Sequence, residues 1–243
     1  MRRLLIGALI LLATYPAHGK VDRRAESHVP FVGCRSDGQL GPQRAPKARP
    51  TPLVPSSLAR RLAFYAASDG PGTLGPRGWH CFGVYGSNGS GLIVAPERLP
   101  SSSVAFAGEF KTRGNAIELA YDYGGTSGRW AVAEAIARYF PMDRNFIREN
   151  FQGLDVGPLP SGPYPHDNFS KRTHNLVRYT TPPLTKGQGT VWVLTPSAQP
   201  IHGLSLLVTN PDGPDLLRVN VRLGDAYREL VPVILDNAGR QAR

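Results

Sequence analysis

The stretch GWHCFGVYGSNGSGLIVAP, residues 78–96, decides how this chain is read. HCFGVYG (80–86) and GLIVAP (91–96) are short apolar runs. Between them lies Ser87-Asn88-Gly89-Ser90. Asn-Gly is a strong reversal signal, because both residues tolerate positive φ. The stretch reads as a β-hairpin whose glycines let the chain turn tightly. It also sets Trp79, His80 and Cys81 side by side, which raises a catalytic alternative: a Cys81 nucleophile with His80 as base. Adjacent strand residues point to opposite faces, so His80 turns away from the sulfur beside it.

Cys34 is the only other cysteine. An even count in an exported chain argues for one disulfide, Cys34–Cys81. Export is expected from the N-terminus. Met1-Arg2-Arg3 is followed by an apolar run from Leu4 to Ala13 and a small-x-small site at Ala17-His18-Gly19. That is the order of a signal peptide, 1–19. The run is shorter than the ~20 residues a bilayer requires, and no later segment reads as a transmembrane helix. The sequence therefore predicts a periplasmic or secreted chain beginning near Lys20. Residues 20–30 are polar and are expected to be flexible.

Working outward from the hairpin, residues 31–243 read as a single α+β domain. Glycine (27) and proline (23) are both frequent, which favours turns and strands over a helical bundle. A Pro-rich basic stretch, 41–55, is expected to lie extended across the surface. SSLARRLAFYAAS (56–68) carries Leu58, Leu62, Tyr65 and Ala66 at helical spacing and reads as an amphipathic helix. TSGRWAVAEAIARYF (126–140) has Trp130, Ala133, Ile136, Ala137 and Phe140 on one stripe, with Thr126 or Ser127 as cap. Arg144–Asn150 reads as a short helix capped by Asp143. Tyr227, Leu230, Val231, Ile234 and Leu235 predict a terminal helix kinked near Pro232. Strands are expected at 104–108, 116–124, 175–181, 189–195, 203–209 and 216–223. Runs of strands with three or four helices predict a mostly antiparallel sheet with helices on one face.

The chemistry-bearing motifs are sparse. G-x-S-x-G, Ser-x-x-Lys, H-E-x-x-H and paired C-x-x-C are all missing, so the sequence offers no serine elbow, no metal site and no cofactor. YDYGGTSGRW (121–130) could hold an anion at a helix start together with Arg129, but it lacks the phosphate-loop pattern. Glu109, Glu118 and Asp122 are close along predicted strands and read as solvated faces. No nucleic-acid module is visible.

The leader, FVGCRSDGQLGP (31–42) and PRGWHCFGVYGSNGSGLIVAP (76–96) together resemble a family of uncharacterised exported proteobacterial proteins with this F-V-G-C…G-W-H-C-F-G cysteine pair. The resemblance implies export and paired cysteines. It supplies no catalytic residues.

The net charge of +10, lowered by two when Arg2 and Arg3 leave with the leader, favours anionic partners. The expectation is a non-enzymatic exported protein that binds an anionic envelope polymer or lipid headgroup. Arg60, Arg61, Lys111, Arg113, Arg129, Lys171 and Arg172 are the candidate contacts. The rival is an envelope hydrolase built around His80, His166 and Asp167.

Overall fold

The computed structural model describes residues 25–99, 110–152, 158–211 and 213–241. The leader and the strand expected at 104–108 lie outside these residues, as does Glu109. Along the chain, β1 (Glu26–His28), β2 (Phe31–Gly33), β3 (Arg35–Gly38) and β4 (Leu53–Pro55) precede a single helical turn, α1 (Ser56–Ala59). β5 (Leu62–Ala66), β6 (Thr73–Pro76), β7 (His80–Gly86), β8 (Gly89–Ala95) and β9 (Ala116–Asp122) follow. α2 (Arg129–Tyr139) and α3 (Arg144–Asn150) lead to β10 (Asn168–Lys171), β11 (Leu176–Thr181), β12 (Ile201–Val208), β13 (Asp215–Arg222) and finally α4 (Val231–Gln241).

The hairpin forms as read: β7 and β8 pair antiparallel from His80↔Ala95 to Gly86↔Gly89. Gly89 takes φ +140°, and a Cβ there would run into the Tyr121 carbonyl. The hairpin sits inside an eight-stranded sheet ordered β10-β11-β12-β13-β9-β8-β7-β3. Every pair in it is antiparallel except β3–β7. A three-stranded sheet, β2-β5-β6, and the ribbon β1-β4 complete the architecture. The α+β class and the mostly antiparallel sheet are observed, with strands outweighing helices.

Cys34 and Cys81 are disulfide-bonded. The bond ties the junction between β2 and β3 to the start of β7, at the open end of the hairpin. Cys34 is 1 % exposed and its amide donates to the Ala66 carbonyl at 2.9 Å, so the small sheet is anchored at the same point.

Helices cover both faces of the large sheet, not one as expected. Alternate residues of β13 show this. Leu217, Val219 and Val221 pack in the cluster that holds Ile234 and Leu235 of α4. Leu216, one position on, packs with Val132 and Ile136 of α2.

Three further expectations change. The helix read over 56–68 is one turn followed by β5. Leu62–Ala66 is buried at every position, the central strand of its sheet. A strand buried on both faces loses the alternation that identifies strands, so its apolar residues also fit a helical template. The strand expected at 189–195 is a 3₁₀ turn, Gln188–Thr190, followed by irregular chain. Polar residues 26–28, read as flexible, form β1 against β4, and Val29 beside them is 4 % exposed.

Gly128, not Thr126 or Ser127, occupies the N-cap position of α2, without a side-chain cap, and Trp130 is exposed. The terminal segment is a 3₁₀ stretch, Asp225–Leu230, running into α4. Pro232 falls in the first turn of α4, where its missing N–H leaves nothing unpaired.

The disulfide closes a loop of about 48 residues, worth roughly 4 kcal/mol in the chain-entropy model. Cys34→Ala/Cys81→Ala is expected to lose that amount in urea unfolding, and reduced wild type should match it. An unchanged unfolding midpoint would contradict this role.

Candidate functional site

Beside the apolar patch that α2 covers, the same face of the large sheet carries charged and polar residues. On β13 these are Arg218, Asn220 and Arg222. On the neighbouring β9 they are Glu118 and Asp122. The register sets Glu118 opposite Asn220 and Ala120 opposite Arg218. Directly opposed residues share a face, so the acids and bases of the two strands meet. Glu118 and Asp122, read from sequence as solvated, are 2 % and 8 % exposed.

Glu118 is saturated with donors. Its Oε2 accepts the amides of Val193 at 2.8 Å and Leu194 at 3.0 Å. Its Oε1 accepts Asn220 Nδ2 at 2.7 Å, and Asn220 Oδ1 accepts the Tyr179 hydroxyl at 2.7 Å. Gly203 lies between those two side chains on β12, where any Cβ would collide with both. These amides explain why 191–195 is not a strand: the amides of Val193 and Leu194 bond a carboxylate instead of a neighbouring chain. Burial lifts the Glu118 carboxyl above its ordinary value, and the bonds from Asn220, Val193 and Leu194 offset part of that. Burial also holds the Tyr179 phenol well above 10.

Arg222, fully buried, does the converse. Its Nε, Nη1 and Nη2 donate to the carbonyls of Gly114, Thr195 and Thr112 at 2.8, 2.6 and 2.6 Å. Acid and base together fasten the irregular segments 112–114 and 193–195 over the sheet.

Arg218 lies two residue pairs beyond Glu118, on the side away from Arg222, and is used differently. Its Nη2 donates to Asp122 Oδ2 at 2.8 Å. Burial acts to lower the guanidinium, and the Asp122 carboxylate more than reverses it, so Arg218 stays charged. The Asp122 carboxyl is raised by burial, with Arg218 pulling it back in part. Among the described residues no hydrogen bond engages Arg218 Nη1.

The row crossing the sheet at this level is Val84, Gly91, Ala120, Arg218. Its small middle residues leave a trough. The Trp192 ring lies on Gly91, where a Cβ would stand 2.6 Å from Cη2. A cleft of about 210 Å³ opens here, lined by Asn88, Asp122, Trp192 and Arg218 among others. A second, of about 270 Å³, is lined by Glu134, Arg138, Tyr164, Gln188 and Arg218. Arg218 belongs to both. In the second cleft Arg138 stacks 4.0 Å above the Tyr164 ring and bonds Glu134 at 3.1 Å. This combination of a fixed guanidinium, a hydroxyl-accepting carboxylate and aromatic walls suits a small anionic, hydroxyl-rich ligand.

The sequence-derived residues are placed elsewhere. His80 begins β7, exposed, while Asp167 anchors the turn after β11 through Thr181 Oγ1 at 2.7 Å and the Gln188 amide at 2.9 Å. Five strand spacings separate β7 from β11, about 24 Å, so His80 does not meet His166 and Asp167. Cys81 is spent in the disulfide.

The seven cations are scattered. Arg60 caps α1, and Arg61 pairs with Glu229. Lys111 donates to the Trp192 carbonyl, and Arg113 is exposed nearby in sequence. Arg129 faces the Phe151 ring at 5.9 Å. Lys171 and Arg172 lie exposed at the β10–β11 hairpin. Sequence reasoning missed Arg218, Arg138 and Trp192. The available signal was matched alternation: Glu118 and Asp122 on one strand, Arg218 and Arg222 on another.

Comparison with protein-family models, curated proteins and solved structures finds no match for the chain.

Two outcomes follow from these charges. Burial raises the folded-state Glu118 value above the ordinary 4.5. Its contribution to stability is therefore complete below 4.5 and is lost as pH rises through the raised value. Glu118→Gln does not titrate, so it should gain stability relative to wild type as pH increases between about 4 and 8. A difference that stays flat with pH in urea unfolding would contradict the shift. Arg218→Gln orphans Asp122 and should cost about 2–3 kcal/mol, less than a fully buried pair because the Arg218 side chain is 20 % exposed. Arg218→Gln/Asp122→Asn should recover most of that. A double variant as unstable as the single would show that the pair is not coupled.

Proposed function

We propose that this is an exported, non-catalytic protein that binds an anionic saccharide of the cell envelope at Arg218. One observation carries the proposal. A guanidinium is fixed by a buried carboxylate at the junction of two open clefts, with Nη1 left for a ligand. Retaining an ion pair on a half-buried sheet face costs desolvation energy, and such sites gather where a charged group has work to do. A carboxylate or phosphate on the ligand would bond Arg218, sugar hydroxyls would donate to Asp122, and Trp192 and Tyr164 offer apolar ring surface. The signal-peptide pattern and the disulfide support an oxidising compartment outside the cytoplasm, and the family resemblance points the same way.

On this reading the anion binds in the cleft, and the seven scattered cations take no part. The hydrolase alternative would need a different constellation from His80, His166 and Asp167.

Calorimetric titration with glucuronate and with glucose 1-phosphate tests this at low salt. Wild type should bind at least one of the two saturably. Arg218→Gln/Asp122→Asn, which keeps the buried charge balanced, should weaken that binding roughly 10- to 100-fold, the worth of a charge-assisted hydrogen bond. Equal affinity in the two proteins would refute the assignment.

A further inference from the structure

A groove of about 710 Å³ opens beside the disulfide, at the start of β7. Arg35, Arg44, Arg98 and His80 line it, and no acidic residue does. All four are exposed, and among the described residues none of them forms an ion pair. The contrast with the Arg218 cleft is chemical. There Asp122 matches Arg218 and Glu134 matches Arg138, so the cleft suits a single anionic group. In the groove three guanidiniums repel one another with no compensating carboxylate, so it suits a ligand that brings several negative charges.

The groove is also held open by the fold. The disulfide fixes its floor, and the Ser36↔Gln43 bridge holds the segment carrying Arg44 against β3. Its walls need not be ordered by the ligand, which removes part of the entropic cost of binding. The two sites both border β7. His80 and Phe82 line the groove, and Val84, the next residue on the same side of β7, lines the Arg218 cleft. Arg218 on β13 and Arg35 on β3 stand four strand spacings apart, about 19 Å, a span of a few pyranose units.

We infer that the groove is a second anion subsite, and that the ligand is a polyanionic glycan chain crossing the sheet from β13 toward β3. One charged group sits at Arg218 and others sit at Arg35, Arg44 and Arg98. This rests on the reading of Arg218 as the first anion subsite.

The test compares glucuronate with an octameric galacturonate chain by calorimetry, using wild type, Arg218→Gln/Asp122→Asn, and Arg35→Gln/Arg44→Gln/Arg98→Gln. The three groove arginines are exposed, so the triple variant should keep its fold, checked by thermal melting. Wild type should bind the octamer at least about tenfold more tightly than the monomer, through two tethered contacts. The triple variant should lose that gain while keeping monomer affinity. Octamer binding no tighter than monomer binding, or a gain that survives in the triple variant, overturns the inference. Failure of the cleft reading looks different: the octamer would depend on the three arginines and be indifferent to Arg218. A single-stranded oligonucleotide of equal charge that outcompetes the octamer would overturn the choice of a glycan.

Discussion

A carboxylate that accepts main-chain amides and a guanidinium that donates to main-chain carbonyls hold the irregular part of this protein to its sheet. Glu118 takes the amides of 193 and 194, and Arg222 takes the carbonyls of 112, 114 and 195. Neither charge would be tolerated at that depth without these bonds, because an ion removed from water must recover its hydration from fixed dipoles. In return the segment carrying Trp192 is set over Gly91, and the turn carrying Gln188 is set beside α2. Those are the walls of the cleft. Arg218, two residue pairs beyond Glu118 and away from Arg222, is the group that the walls leave open to a ligand.

The two faces of the sheet divide the work. One face is apolar and closed by α4 and the small sheet, with Leu204, Leu206, Val219 and Ile234 buried there. It supplies hydrophobic stabilisation, and the disulfide fastens the small sheet to the hairpin beside it. The other face is apolar only under α2 and α3. Away from these helices, along β9 and β13, it carries Glu118, Asp122, Arg218, Asn220 and Arg222, and it opens into a cleft at Arg218. A rigid, well-packed face carrying a costly polar one is what a preorganised binding site requires.

The strands whose residues alternate or that turn residues bound were legible in the sequence. Residues 80–86, 116–122, 176–181, 201–208 and 215–222 alternate or are bounded by turn residues, and all appear as strands. The cysteine pair was legible from its count. Three features were not. Leu62–Ala66 hides its period because both faces are covered. Residues 191–195 carry a strand-like pattern but bond a carboxylate from another element, a partner that no local pattern reveals. Glu118, Asp122 and Arg218 alternate with apolar neighbours as a solvent-facing row would. Only the register, which brings acid against base, shows that the row is interior. The site was invisible for the same reason: its parts come from β8, β9, α2, the 188–192 segment and β13.

The central claim is that Arg218 is the anion-binding group. NMR of the arginine guanidinium nitrogens during titration with glucuronate tests it most directly. The account predicts saturable shifts at Arg218, smaller ones at Arg138 across the shared cleft, and none at Arg60 or Arg61. Shifts confined to the surface cations, or an unchanged Arg218 while ligand binds, would contradict it.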